Sequence, residues 1–132
     1  MIAVDTNIIV RFLVRDDEAQ AAAVYRRLKR AESDREILFV PLVVLLETLW
    51  VLESAYGKSR GEILDCIATL RMMPVFEFEQ DDAVEGLLTD ARGCRADLAD
   101  LLIAHSAQTH GCEAGITFDK GAAKLPFFSL LT

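Results

Sequence analysis

Five short apolar runs, at 2–4, 37–40, 75–78, 114–118 and 127–131, are separated almost everywhere by longer segments with helical punctuation. Strands joined through helices need crossover connections, which lay them parallel in one sheet with helices on both faces. The expected fold class is therefore α/β: a three-layer α/β/α sandwich around a mostly parallel central sheet of about five strands. In such sheets ligands bind beyond the carboxyl ends of the strands, so polar residues directly after each apolar run are the first to weigh for function.

The intervening segments carry their own start and stop signals. Asp5-Thr6-Asn7 offers capping side chains to a helix over 8–14, and Asp16-Asp17-Glu18 opens a second helix that ends in Arg26, Arg27, Lys29 and Arg30, a charge order suited to the helix dipole. Pro41 suits a first helical turn, giving a helix over 41–55 with Gly57 as its stop. Ser59 and Glu62 have capping-box spacing at the head of a helix over 59–72, which Pro74 ends. Helices over 80–92 and 97–110 follow, the latter stopped by Gly111, and a helical turn separates the last two strands. With no repeat, low-complexity tract or linker, residues 1–132 are expected to form one domain.

Composition narrows the function. A chain with 52% hydrophobic and 27% charged residues folds rather than remaining disordered. No apolar run reaches the ~18 residues of a membrane span, and the first residues lack the pattern of a signal peptide, so a cytoplasmic protein without membrane association is expected. Cys66, Cys94 and Cys112 lack metal or redox spacing and are expected as buried reduced thiols. A net charge of −7 argues against a broad basic face for nucleic acid, although divalent ions held by some of these acids would offset it.

Four acids stand out. Asp5 and Asp119 each follow a strand and are expected at the same sheet edge, although capping a helix or starting a turn would also account for them. Glu47 has Val43, Val44, Trp50 and Val51 as its helical neighbours, so it is expected to lack a solvated face and to need a cation or donor. Glu53 lies elsewhere around that helix and reads as structural. Asp97 and Asp100 share a helix face. Asp97 suits the N-cap, whereas Asp100 is followed on its face by Ile103, Ala104 and Ala107, which puts it at the rim of the interior.

Val4-Asp5-Thr6-Asn7, the lone Glu47 in an apolar helix, Asp100-Leu101-Leu102-Ile103-Ala104 and Thr117-Phe118-Asp119 together resemble a PIN domain of the VapC toxin group. The resemblance runs from residue 4 to residue 119 and implies a PIN-like sandwich, Mg²⁺- or Mn²⁺-dependent RNA cleavage, dimerisation and inhibition by a VapB-like antitoxin. Residue by residue it implies metal-site roles for Asp5, Glu47, Asp100 and Asp119, polar support from Asn7 and Thr117, and an auxiliary acid in Asp97. Asp5 and Asp100 are the expected direct ligands, with Glu47 and Asp119 as ligands or orienters of water. All-oxygen donors suit Mg²⁺ or Mn²⁺, and a divalent ion relieves the repulsion of gathered carboxylates. Arg11 and Lys120 are candidate phosphate contacts.

Other chemistries lack parts. His105 is off the face of Asp100, His110 sits at a helix end, and there is neither a Gly-x-Ser-x-Gly elbow nor a Gly-rich phosphate loop. A phosphoacceptor signalling domain, which also gathers strand-end aspartates around magnesium, is the alternative from another class. A catalytically inactive, partner-binding PIN-like domain is the third reading.

Overall fold

The computed structural model describes all residues from 1 to 132, as two compact units, Met1–Glu79 and Gln80–Thr132. The first unit holds β1 (Ile2–Ala3), α1 (Thr6–Val14), α2 (Glu18–Asp34), β2 (Leu38–Val40), α3 (Leu42–Ser54), α4 (Arg60–Met72) and β3 (Phe76–Phe78). Its strands form a parallel sheet in the order β1-β2-β3, with Ile2 opposite Leu38 and Leu38 opposite Phe76. The second unit holds α5 (Asp81–Ala91), α6 (Leu98–Thr109), β4 (Gly115–Thr117), a 3₁₀ turn (Ala122–Lys124) and β5 (Phe128–Leu130), with β4 and β5 parallel and Gly115 opposite Phe128.

The protein is thus mixed α/β with five strands and only parallel pairings. The hydrogen-bond ladders divide into three strands and two, where one continuous five-stranded sheet was expected. Strands of two or three residues offer few ladder bonds each, so apolar pattern fixes which residues are extended better than it fixes how far a ladder continues.

Local chemistry explains the boundaries. Asp17 accepts from the Gln20 N–H at the head of α2, and Ser59 and Glu62 form a reciprocal capping box on α4. Hydrogen bonding to the backbone and hydroxyl of Ser59 holds the Glu62 carboxyl below its ordinary pKa. Helix α3 begins after Pro41, which has no capping side chain, and the Leu42 N–H is instead accepted by Glu79 Oε1 at 2.8 Å, from just beyond β3. Gly57 and Gly111 take positive φ (60° and 85°) after α3 and α6, a conformation that costs a residue without Cβ little.

The core of the first unit is built on Leu38, Val40, Leu45, Leu52, Ile63, Ile67 and Leu70; that of the second on Val84, Leu87, Leu101 and Leu102, where α5 packs on α6. At Gly115 a Cβ would lie 2.7 Å from the Phe127 ring, so the missing side chain lets Phe127 and Phe128 close on β4. The cysteines depart from expectation: Cys66 and Cys94 are half-buried and Cys112 is exposed. Ile103 is also exposed, so the face of α6 that continues from Asp100 is only partly packed.

Gly86 on α5 yields the first prediction. A Cβ there would stand 2.3 Å from His105 Nδ1, and the ring is tethered through Nε2 to Asp90 Oδ2 at 2.8 Å, so it cannot swing aside without losing that partner. Alanine improves helix propensity by ~1 kcal/mol, but overpacking costs about 1–3 kcal/mol. Gly86→Ala is expected to lower stability in urea unfolding, and adding His105→Ala should recover part of the loss.

Candidate active site

Asp5 lies just past the carboxyl end of β1 and caps α1, its Oδ1 accepting from the Thr6 N–H at 2.7 Å. The other carboxylate oxygen makes no hydrogen bond within the protein, and the residue is exposed. Next to it the Thr6 hydroxyl is buried with no hydrogen-bond partner, a feature that nothing in the local sequence signals. Asn7 follows on the exposed side of α1.

Glu47 sits on α3, which packs against α1. The expectation that it lacks a solvated face is wrong: Glu47 is exposed, and its apolar neighbours Val43, Leu46 and Trp50 are exposed with it, Val43 at 73% and Trp50 at 67%. Helix α3 is apolar nearly all round, so its pattern did not reveal the outward side. The inward side is Val44, Leu45, Thr48, Leu49 and Leu52, with the Thr48 hydroxyl donating to the Val44 carbonyl.

Three acids of the second unit act on one another through their charges. Asp97 is the N-cap of α6, its Oδ1 accepting from the Ala99 N–H at 2.8 Å. Asp119 follows β4; its Oδ1 accepts from the Gly121 N–H at 2.7 Å, and its own N–H donates to Thr117 Oγ1 at 3.0 Å. The capping and turn roles weighed for Asp5, Asp97 and Asp119 are therefore present, and each leaves one carboxylate oxygen outside these bonds. Asp100 differs: half-buried, with no hydrogen bond or ion pair of its own. Burial pushes its carboxyl pKa up, and the negative charges of Asp97 and Asp119 push it further the same way.

Within either unit no three His, Cys, Asp or Glu side chains close into a cation cage. The donors nevertheless fit a hard divalent cation in type, being carboxylate oxygens throughout, and Asp100 in particular is a charge lacking a counter-ion.

The candidate phosphate contacts differ from each other. Arg11 donates to Asp16 Oδ1 and the Tyr56 hydroxyl, both at 2.9 Å, and to Gln20 Oε1 at 2.6 Å; the bond to Tyr56, with the nearby charge of Asp16, raises its pKa. It is a fixed cation that braces α1, the head of α2 and the end of α3. Lys120 is exposed beside Asp119. His105 is tied to Asp90, and His110 Nδ1 lies 3.3 Å from Gln80 Nε2.

The pattern of the PIN domain family matches residues 2–128, across both units. No curated protein and no solved structure matches the chain. PIN domains are generally nucleases that use divalent metals and act on nucleic acid. With the strand-end acids, the parallel strands and a match over nearly all of its length, the chain belongs to the PIN domain family.

Proposed function

We propose that the protein is an Mg²⁺- or Mn²⁺-dependent endoribonuclease, the toxin of a VapC-like toxin–antitoxin pair, acting as a single domain over residues 1–132 in the cytoplasm. Family membership supports the nuclease class, and the match running through residues 79 and 80 supports the single domain. No helix is long and apolar enough to cross a membrane. The observation that carries the reading is Asp100, a half-buried carboxylate without a partner that feels the charges of two further carboxylates. A carboxyl in such surroundings has reason to bind a cation, and none of the protein's own is paired with it.

In this reading Asp5, Glu47, Asp100 and Asp119 hold the metal and its water, with Asp97 as an auxiliary acid. A divalent ion so held supplies an activated water for the phosphodiester and charge stabilisation for the departing oxygen. The protein's own contribution is orientation. Asp5 and Asp119 are fixed by backbone N–H groups, which set the direction of their free oxygens. Thr117 fixes the backbone of Asp119 and Lys120 lies open to a phosphate, while the family resemblance assigns Asn7 to the support of Asp5. Arg11 acts mainly through Asp16 and Tyr56, as a brace with any phosphate contact secondary.

A VapB-like antitoxin and a second copy of the chain are the partners we infer, supported by the apolar face of α3 left open at Val43, Leu46 and Trp50 around Glu47. No observation favours the phosphoacceptor reading or the inactive one.

The assay is direct. Purified protein free of antitoxin is expected to cleave RNA with Mg²⁺ or Mn²⁺, to stop on chelation by EDTA and to resume when metal is restored. Cleavage that persists in excess EDTA would sink the metal mechanism. Expression should be toxic and rescued by the neighbouring small open reading frame; a cell that tolerates the active chain alone at confirmed levels counts against the toxin role.

A further inference from the structure

Half of the fourteen Lys and Arg residues fall within residues 11–35, where seven cations stand against five acids in a chain of net charge −7. Most are neutralised nearby: Arg11 pairs with Asp16, Arg27 with Glu36, Lys29 with Glu32 and Arg30 with Asp34. Arg15 and Arg26 have no such partner. Both line one open groove of about 460 Å³ along α2, together with Glu18, Ala21, Ala22 and Tyr25.

The groove has three chemical features. Its two guanidiniums lack counter-ions, while its one acid, Glu18, lies in the first turn of α2, where the helix dipole offsets a negative charge. Tyr25 is 49% exposed; the Lys29 ammonium, already paired with Glu32, lies over one face of its ring at 5.4 Å from the centroid, so a stacked base would take the other face or displace that cation. Its lining includes Ala21 and Ala22, whose small side chains let a polymer backbone approach the helix.

We propose that this groove binds single-stranded RNA, with phosphates paired to Arg15 and Arg26 and an unstacked base on Tyr25. Phosphate-pairing cations beside an aromatic platform are the combination by which proteins hold single strands without reading sequence. An apolar protein segment would find small alanines and unpaired charges there, and a duplex would keep its bases stacked away from the ring. The inference rests on the nuclease reading for its substrate class and adds a strand-holding surface made by α2 alone with Arg15. It also answers the objection raised by the acidic chain: the positive balance is local.

The test reads binding without cleavage, by anisotropy of a short labelled oligoadenylate in EDTA, using the full chain. Tyr25→Leu is expected to weaken binding roughly tenfold, and Tyr25→Phe to keep it, because base stacking needs the ring and not the hydroxyl. Combining Arg15→Gln with Arg26→Gln should make the log–log salt dependence shallower by about 1.4, the value for two single-strand phosphate contacts. Lys124→Gln, an equal charge change in the other unit, should do neither. With metal present, the groove variants should raise KM for RNA and leave kcat near wild type. Wild-type affinity and salt dependence in the groove variants would overturn the proposal. So would a polyglutamate peptide that competes fully with the oligonucleotide and binds Tyr25→Leu as it binds wild type, since that would mark the groove as a dock for acidic protein. The two readings fail separately: loss of binding in the variants without metal-dependent cleavage by the wild type removes the nuclease and keeps the groove, whereas cleavage with unchanged binding does the reverse.

Discussion

Asp100→Asn is expected to lower metal-dependent RNA cleavage at least about 100-fold, since even outer-shell changes around a metal cost ~10–100-fold and this one removes a proposed ligand. The same change should leave the metal-free protein as stable as wild type or more so. The folded-state pKa of Asp100 is raised, by burial first and then by the charges of Asp97 and Asp119. For a carboxyl raised on folding, stability is fully present below the unfolded pKa and is lost as pH rises through the folded one, where the folded state must carry a charge it disfavours. The stability gain from Asp100→Asn should therefore vanish in acid, below the ordinary Asp range, and be largest near neutral pH; unfolding curves at the two pH values check this. Added Mg²⁺ should stabilise the wild type more than the variant, because only binding to the native state raises stability. Asp97→Asn is the comparison. Asparagine can still accept from the Ala99 N–H, so capping should change by at most about 1 kcal/mol and cleavage should fall only in part.

Glu47→Gln should reduce cleavage by about 10–100-fold, on the same scale for metal-site partners. Its stability should stay within about 0.5 kcal/mol of wild type, as for an exposed position away from caps and core. The pairing of these outcomes matters, because a carboxylate enclosed by apolar side chains would respond differently: replacing it would relieve a large desolvation cost and shift the unfolding midpoint clearly. Unchanged cleavage would remove Glu47 from the metal site. A large shift in the unfolding midpoint would contradict its exposure.

Much of the fold was legible because its signals are local. The Ser59–Glu62 box, the Asp97 cap and the stops at Gly57 and Gly111 all act within a few residues, and the structure uses each at the expected place, whereas Asp17 and Pro41, expected in the first turns of their helices, stand one step earlier as N-cap residues. What escaped depends on neighbours distant in sequence. The cap of α3 comes from Glu79, thirty-seven residues away, and Tyr56 reaches Arg11 across forty-five, which converts a candidate phosphate contact into a brace. The exposure of Glu47 escaped for another reason: in a helix apolar on every side, periodicity does not distinguish the core from an interface. At the candidate site the sequence supplied the acids and their capping roles. It did not reveal that Asp119 acts on the Asp100 carboxyl, because that depends on how residues nineteen apart in sequence are placed by the fold.

The ends left on cleaved RNA distinguish metal-dependent hydrolysis by water from every route in which the RNA attacks itself. With Mg²⁺ or Mn²⁺ in heavy-oxygen water, linear phosphate termini that carry solvent oxygen are expected opposite free hydroxyls, with no product in EDTA. Cyclic phosphate termini, which form when the ribose hydroxyl attacks in place of water, or products that accumulate in excess EDTA would rule out metal-dependent hydrolysis.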